Sequence, residues 1–448
     1  MPTFFSTKQM SLQEACGELL SLIKATSALS EHATFAFDLS SIDEALLFGA
    51  VSGTQKIFYK CRDSDETFFG LGVADSVSGA CQKEVLFEAY ARASVKIPGH
   101  IYFGACKFDG ERACSPEWAS FQPATFILPM VLVIKTGARC TLYLNYRAGR
   151  PFRIWCDDAA TILAAIGRAS HSPHHKLKCQ SIACTPTAAN YKKNFYLAQE
   201  EILKGMQKVV LARRRHLHFE QPIEPFELLN QLKNSSPEAF VFFFDMGKGA
   251  AFFGASPELL YRRVSTIIET ESLAGSRARS SDRHVDVERG NDLLTSLKDN
   301  QEHKIVSHYI EDTLRAFAID DLTISELELM TLPYVHHLVK RYQGHMKPFV
   351  SDAALIHALH PTPAVCGIEK NAAQQFIREH ESFDRGLYAG YVGYISDQKI
   401  EFSVGIRSAL LLERDLYVYV GGGIVAKSDV DAEWAELDNK ERKILDLF

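Results

Sequence analysis

Apolar residues recur along the chain at two spacings, one helical and one extended. Leu12, Ala15, Leu19, Leu20 and Ile23 share one stripe, which predicts a helix over 11–24. The same spacing predicts helices over 83–93, 191–205 and 225–233. It also predicts one long helix over 291–318, with Leu294, Leu297, Ile305, Tyr309 and Leu314 among its apolar positions. Short apolar or alternating runs predict strands at 34–37, 57–59, 67–72, 101–106, 126–135 and 141–147. Later strands are predicted at 209–212, 240–245, 251–253, 261–263, 267–270, 335–344, 390–396, 401–412 and 416–420. Consecutive strands often leave no room for a crossover helix, so the sheets are expected to be largely antiparallel. The expected class is α+β, with such sheets packed as a sandwich and helices flanking them. The pattern turns polar through Thr185 and Pro186, which sets an expected boundary between 1–187 and 188–448.

The last of these strands leads into the most informative stretch. Leu416, Val418 and Val420 alternate with Tyr417 and Tyr419, and Gly421, Gly422 and Gly423 follow. Three residues without side chains let a ligand reach backbone N–H groups that can bind an anion. Ser428 and Asp431 form a capping-box-like pair that predicts the start of a helix. On that helix Glu433, Glu436 and Lys440 stand at i, i+3 and i+7, which places them on one face. Carboxylates beside an anion cradle make chemical sense if a hard dication lies between them, and Mg²⁺ is the expected one.

Composition narrows the class of partner. The chain has 448 residues, 46% hydrophobic and 23% charged, which is ample for a large globular core. A net charge of −6 argues against nucleic acid as a partner. Nine of the ten cysteines lie at or before Cys184 and none form a CxxC pair, so reduced thiols in a cytoplasmic protein are expected. No run of about 18 apolar residues predicts a membrane helix. The first residues lack the basic and apolar segments of a signal peptide. His171, His174 and His175 lie in a polar, proline-containing stretch, which reads as a solvated linker before it reads as a metal site.

Four further groups carry candidate chemistry. Lys208 opens an apolar strand, where desolvation disfavours its charge, so it is a candidate base; a nearby Mg²⁺ and Arg213 would help. Its bland alternative is a strand-edge charge. Glu258, between Pro257 and Leu259, has apolar flanks that would hold it protonated as a general acid. Its alternative is a structural pair with Arg262. Asp299 and Glu302 repeat on the long helix the i,i+3 spacing of Glu433 and Glu436, so two carboxylate-bearing helices could face one Mg²⁺. The segment 360–367, with Pro361 and Pro363, suits a rigid pocket wall, and His336 and His337 open another strand.

With these segments in this order, the chain resembles the chorismate-utilising enzymes. The resemblance covers 188–448. It rests on KVVLAR at 208–213, GASPELL at 254–260, LAGSRAR at 273–279, KDNQEH at 298–303 and HPTPAVCG at 360–367. It continues through FDRGLYAGYVG at 383–393, IRSA at 406–409, GGGIV at 421–425 and EWAELDNK at 433–440. Ammonia-using members lack a lysine at the position of Lys208, and the aminodeoxychorismate enzymes carry a nucleophilic lysine at the position of Ala274. The resemblance therefore implies water as nucleophile and the isochorismate-synthase branch, closest to its menaquinone-pathway type. The alternatives are a salicylate synthase, which also eliminates pyruvate, and a chorismate-binding protein without turnover.

The resemblance also implies roles. Lys208 would deprotonate water for attack at C2, and Glu258 would protonate the departing C4 hydroxyl. Glu302 and Glu433 would hold Mg²⁺, Glu436 would support its water shell, and Asp299 is a weaker candidate. Tyr388 and Arg407 would bind the enolpyruvyl carboxylate. Lys440 and the backbone of Gly421, Gly422 and Gly423 would bind the ring carboxylate, with Gly275, His337 and Ala364 lining the pocket. It implies one large fold, a monomer and no amidotransferase subunit. The family usually has Gly-Ala-Gly at 421–423, and leucine and serine where this chain has Val365 and Cys366; these departures are expected to widen the pocket slightly.

Overall fold

The predicted strands pair into two large sheets. The computed structural model describes residues 3–29, 31–42, 44–49, 53–166, 178–247, 249–332 and 335–448. His171, His174 and His175 lie outside the described residues. One sheet has 13 strands and the other 10 among the described residues. Thr3–Met10 runs parallel to His32–Leu39, and every other pairing among the described strands is antiparallel. The expected α+β sandwich is what forms.

Aromatic side chains join the sheets. Tyr394 of the smaller sheet lies 5.6 Å from Tyr59 and 4.9 Å from Phe68 of the larger one, and Phe68 lies 5.2 Å from Phe103. Rings at such spacing bury large areas at favourable edge-to-face or tilted angles. Both sheets run across the 187/188 position. Lys56–Lys60 pairs with Phe240–Asp245 in one sheet, and Tyr102–Cys106 pairs with Tyr391–Ile395 in the other.

Three apolar stretches that read as single strands, or as strands in direct succession, switch sheets instead. The run 126–135 is two strands, Ala124–Leu128 in the smaller sheet and Val131–Thr136 in the larger, parted at Pro129. The run 401–412 divides into Lys399–Val404 and Ser408–Leu412 in the same way. Ala250–Ser256 and Leu259–Val264 also lie in different sheets, and Pro257 and Glu258 form the crossing.

Two helix expectations need correction. The long helix over 291–318 is two helices, Arg283–Thr295 and Leu297–Ala316. Ser296 separates them with an extended backbone, and its hydroxyl accepts from the Asp299 N–H as an N-cap. The last helix is Val430–Leu445, and its cap is Asp429, which accepts from the Asp431 and Ala432 N–H groups. Ser428 instead turns its hydroxyl back to the Val425 N–H.

Candidate active site

Lys208 is the first residue of the Lys208–Phe219 strand and is wholly buried. Its Nζ donates to Glu302 Oε1 at 2.9 Å. The neighbouring strand, Asp415–Ile424, places Gly423 opposite Val210 and Gly421 opposite Ala212. A Cβ on Gly423 would stand 2.6 Å from Glu302 Oε1 and 2.7 Å from Lys208 Cε. A Cβ on Gly421 would stand 2.7 Å from the Tyr388 hydroxyl. The glycines thus make room for side chains. They do not follow the strand as a loop but lie within it, and the Gly421 carbonyl accepts from Lys440 Nζ at 2.9 Å.

Alternation along the strands corrects two expectations. Gly422 faces away from the chamber: its Cβ would lie 3.5 Å from Glu433 Oε2 and from Leu437. It therefore does not line the substrate site, and the missing methyl at this position leaves the chamber no wider. Arg213, five residues from Lys208, also points to the opposite face. There it pairs with Asp438 at 2.7 Å and Glu441 at 3.0 Å and lies over the Trp434 ring. It gives Lys208 no help.

Glu258 sits at the sheet crossing and is 2% exposed. Burial pushes its carboxyl up to about 8, with the Glu271 charge adding to the effect and Lys208 opposing it. It carries its proton at neutral pH. Arg262 is not its partner, since that guanidinium is taken by Asp63, Glu269 and Glu401.

Each carboxylate expected to hold metal is paired with a lysine. Glu302 pairs with Lys208, Glu433 with Lys298 at 2.9 Å and Glu436 with Lys440 at 2.7 Å. Among the described residues, no three His, Cys, Asp or Glu side chains are already gathered as a metal cluster. The three carboxylates nevertheless act on one point. Although burial works against it, the Lys298 ammonium is held above its ordinary value by Glu433, then Glu302 and Glu436. Burial, then Glu436, push the Glu433 carboxyl up despite Lys298. Burial pushes Glu436 up as well, but Lys440, Lys298 and Arg407 together hold it below the ordinary range. An all-oxygen, carboxylate-rich donor set around a stand-in ammonium fits a hard dication. Lys298 was not singled out in the sequence, though it stands one turn before Glu302, at i,i+4. Asp299 is held by Arg277 at 3.0 Å.

The remaining expected residues do converge. Glu258, Gly275, His337, Ala364, Tyr388 and Arg407 line one chamber of about 120 Å³, with Glu302, Glu436, Lys440, Gly421 and Gly423 in its wall. Lys208 itself lies beneath Glu302 and Gly423. The chamber adjoins a second of about 630 Å³ that shares Pro257, Lys298, His337 and Arg407 and adds Arg279, Arg442 and Lys443. Arg407 has a left-handed backbone at φ 52° and donates to the Lys440 carbonyl. Among the described residues it makes no ion pair, so its guanidinium is free to take a carboxylate. His337 Nδ1 lies 3.0 Å from the Ser276 hydroxyl, and its buried Nε2 has no hydrogen-bond partner. Burial lowers its imidazole to about 3, so it is neutral. The chamber thus offers a buried acid, a guanidinium without an ion pair among the described residues and the Glu302 and Glu436 carboxylates in its wall, with the Lys208 amine beneath.

The family model described as chorismate binding enzyme matches residues 18–448. The chloroplastic isochorismate synthase of Catharanthus roseus is 31% identical over 77% of this chain. That alignment spans 62% of the plant enzyme, and one with an Arabidopsis thaliana enzyme spans 64%, so the chain spans under two thirds of these relatives. The isochorismate synthase MenF of Haemophilus influenzae is 27% identical over 98% of this chain and 97% of its own. The solved structure of the menaquinone-specific MenF from Escherichia coli superposes with a TM-score of 0.86. It is 26% identical and covers 98% of this chain and 100% of that one. The matched segment contains every side chain that lines the chamber, and the chain belongs to the chorismate-binding enzyme family.

Proposed function

We propose that the chain isomerises chorismate to isochorismate. Lys208, acting as its free amine, takes a proton from water as its oxygen bonds to C2 of the ring. The ring double bonds shift, the C4–O bond breaks, and Glu258 gives its proton to the departing hydroxyl. Protons and charge balance, and the step is reversible. A base and an acid acting at the two ends of an allylic system supply the usual advantage of positioned proton transfer, about 10² to 10⁴ each. Arg407 and the Tyr388 hydroxyl receive the enolpyruvyl carboxylate. Lys440 and the open edge at Gly421 and Gly423 receive the ring carboxylate, with Gly275, His337 and Ala364 as walls. Glu302, Glu433 and Glu436 would hold Mg²⁺, which would supply positive charge for the ring carboxylate.

The observation that carries this reading is Glu258, a buried carboxyl with no ion pair among the described residues that keeps its proton at neutral pH, in the chamber whose wall includes Glu302, the partner of Lys208. The likeness to isochorismate synthases supports the reaction, and the likeness to the menaquinone-specific enzyme supports that pathway. The reading includes a cytoplasmic monomer without an amidotransferase subunit. It assigns the chemistry to 188–448, with 1–187 completing the sandwich. Incubation with chorismate and Mg²⁺, with products separated by chromatography, tests it. Isochorismate beside chorismate is expected, with activity lost on chelation and restored by Mg²⁺. Lys208→Ala is expected to lower turnover by about 100-fold or more while chorismate still binds. Salicylate with pyruvate would instead indicate the two-step reaction, and binding without consumption a non-catalytic protein.

A further inference from the structure

Glu258 is not set by burial alone. The carbonyl of Pro257, the residue before it, accepts from Arg62 Nη1 at 2.5 Å. Arg62 comes from the other half of the chain, just past the Lys56–Lys60 strand. Its guanidinium grips Glu271 with both nitrogens, at 2.8 Å and 2.7 Å. Two more bonds go to Asp63, at 2.7 Å and 3.0 Å. All five N–H donors of Arg62 are therefore used. Glu271, from the Ile267–Ala278 strand, is 3% exposed. A carboxylate so deeply buried needs a close partner, and a bidentate guanidinium is the strongest available. Arg341 stands at 3.5 Å as a second.

We propose that Glu271 and Arg62 are the positioning pair of the general acid: Glu271 is the fixed negative charge that keeps Glu258 in its proton-donating form, and Arg62 fixes Glu271 by its bidentate grip while tying Pro257 in place. Among the described residues, two charged groups act on Glu258. Glu271 pushes its carboxyl up, and Lys208 pulls it down. Arg62 reaches Glu258 through Glu271 and through the backbone. The pair gives residues 1–187 a part in the chemistry, and it rests on Glu258 being the acid of the proposed reaction.

The sign follows from the acid's role. Glu258 donates only while protonated, so kcat/KM falls as pH rises through its titration near 8. Removing the Glu271 charge lets Glu258 ionise at lower pH. Glu271→Gln keeps the shape, and Arg62 keeps Asp63, so the variant is expected to fold. Its alkaline limb is expected about one pH unit lower than the parent's. Arg62→Gln releases both the bidentate hold on Glu271 and the tie to Pro257, so the limb is expected to move away from the parent's. Arg62→Lys keeps the charge and is expected to leave the limb where it is. The Glu258 titration is also read without substrate, by ¹³C NMR of carboxyl-labelled glutamate in the full-length protein, and the same shifts are expected there. An unchanged titration in Glu271→Gln would overturn the proposal. Should that variant not accumulate, an unchanged titration in Arg62→Gln does so. A parent that titrates as described but does not turn over chorismate would count against the reaction and leave the pair standing.

Discussion

At Gly423 a single missing carbon decides whether the chamber can form. A methyl there would lie well inside contact distance of both Glu302 Oε1 and Lys208 Cε. The backbone at 423 lies outside the left-handed region, so alanine would strain no dihedral; it would only push the ion pair apart. Gly423→Ala is expected to fold like the parent and to lose at least about tenfold in kcat, since displacing a reacting group by an ångström has that order of effect. Gly422→Ala meets its nearest atoms at 3.5 Å, an ordinary contact, and is expected to keep near-parent activity. Steady-state rates beside a thermal melt check both. The pair also shows how far single residues were legible. Lys208, Glu258, Glu302 and Glu433 could be singled out from local sequence because burial and spacing imprint on it. The face of Gly422 and of Arg213 was also written there, as strand parity, once the glycines are taken as part of the strand. Arg62 carries no local signal, since its meaning lies in a strand pairing between distant segments.

At the scale of elements, the sequence reads most reliably where one period persists and least where a run changes sheet. Residues 401–412 read as one strand because both sheets bury most of them, so the sheet crossing at which Arg407 turns into the chamber is not marked by a change of period. Glu258 sits at another such crossing, which is why local apolarity could suggest its protonation but not its neighbours. The start of the last helix is legible as a cap, with an error of one residue. The cap of Val430–Leu445 matters to chemistry, because Glu433 lies in its first turn and Glu436 and Lys440 follow. Asp429→Ala removes an acceptor for two N–H groups at that end and is expected to cost about 1 kcal/mol. A frayed first turn also loosens Glu433. The expected result is a lower denaturant midpoint together with a higher Mg²⁺ concentration for half-maximal activity. Asp429→Asn or Asp429→Ser, which still cap, are expected to restore most of both. A loss of stability with no change in Mg²⁺ requirement would separate the helix end from the metal carboxylates.

Over the whole molecule, charge and sheet continuity matter more than any one element. The net charge of −6 gives no sign of the cationic side chains gathered around the two chambers, because composition averages over position. The polar stretch near 187 suggests a division that the hydrogen bonding does not respect. Phe240, Val241, Phe242, Phe243 and Phe244 form a strand buried on both faces, and one of its two edges is paired only by Lys56–Lys60. Tyr391–Ile395 depends in the same way on Tyr102–Cys106. A fragment of 188–448 alone would leave both as open, flat, apolar edges, and such edges pair with other chains. It would also expose Tyr394, stripped of Tyr59, Phe68 and Phe103, and leave Glu271 without Arg62. A buried carboxylate stripped of its bidentate guanidinium costs up to several kcal/mol, a large share of a domain's whole stability. The fragment is therefore expected to aggregate, although it holds every residue that lines the chamber. Supplied together with a separate 1–187 chain, it is expected to recover a cooperative melt and activity, because the missing partners are strands and a guanidinium and need no covalent link. A soluble, cooperatively melting 188–448 fragment would mean that the catalytic region is a domain in its own right and that the shared sheets are an interface between two folded halves.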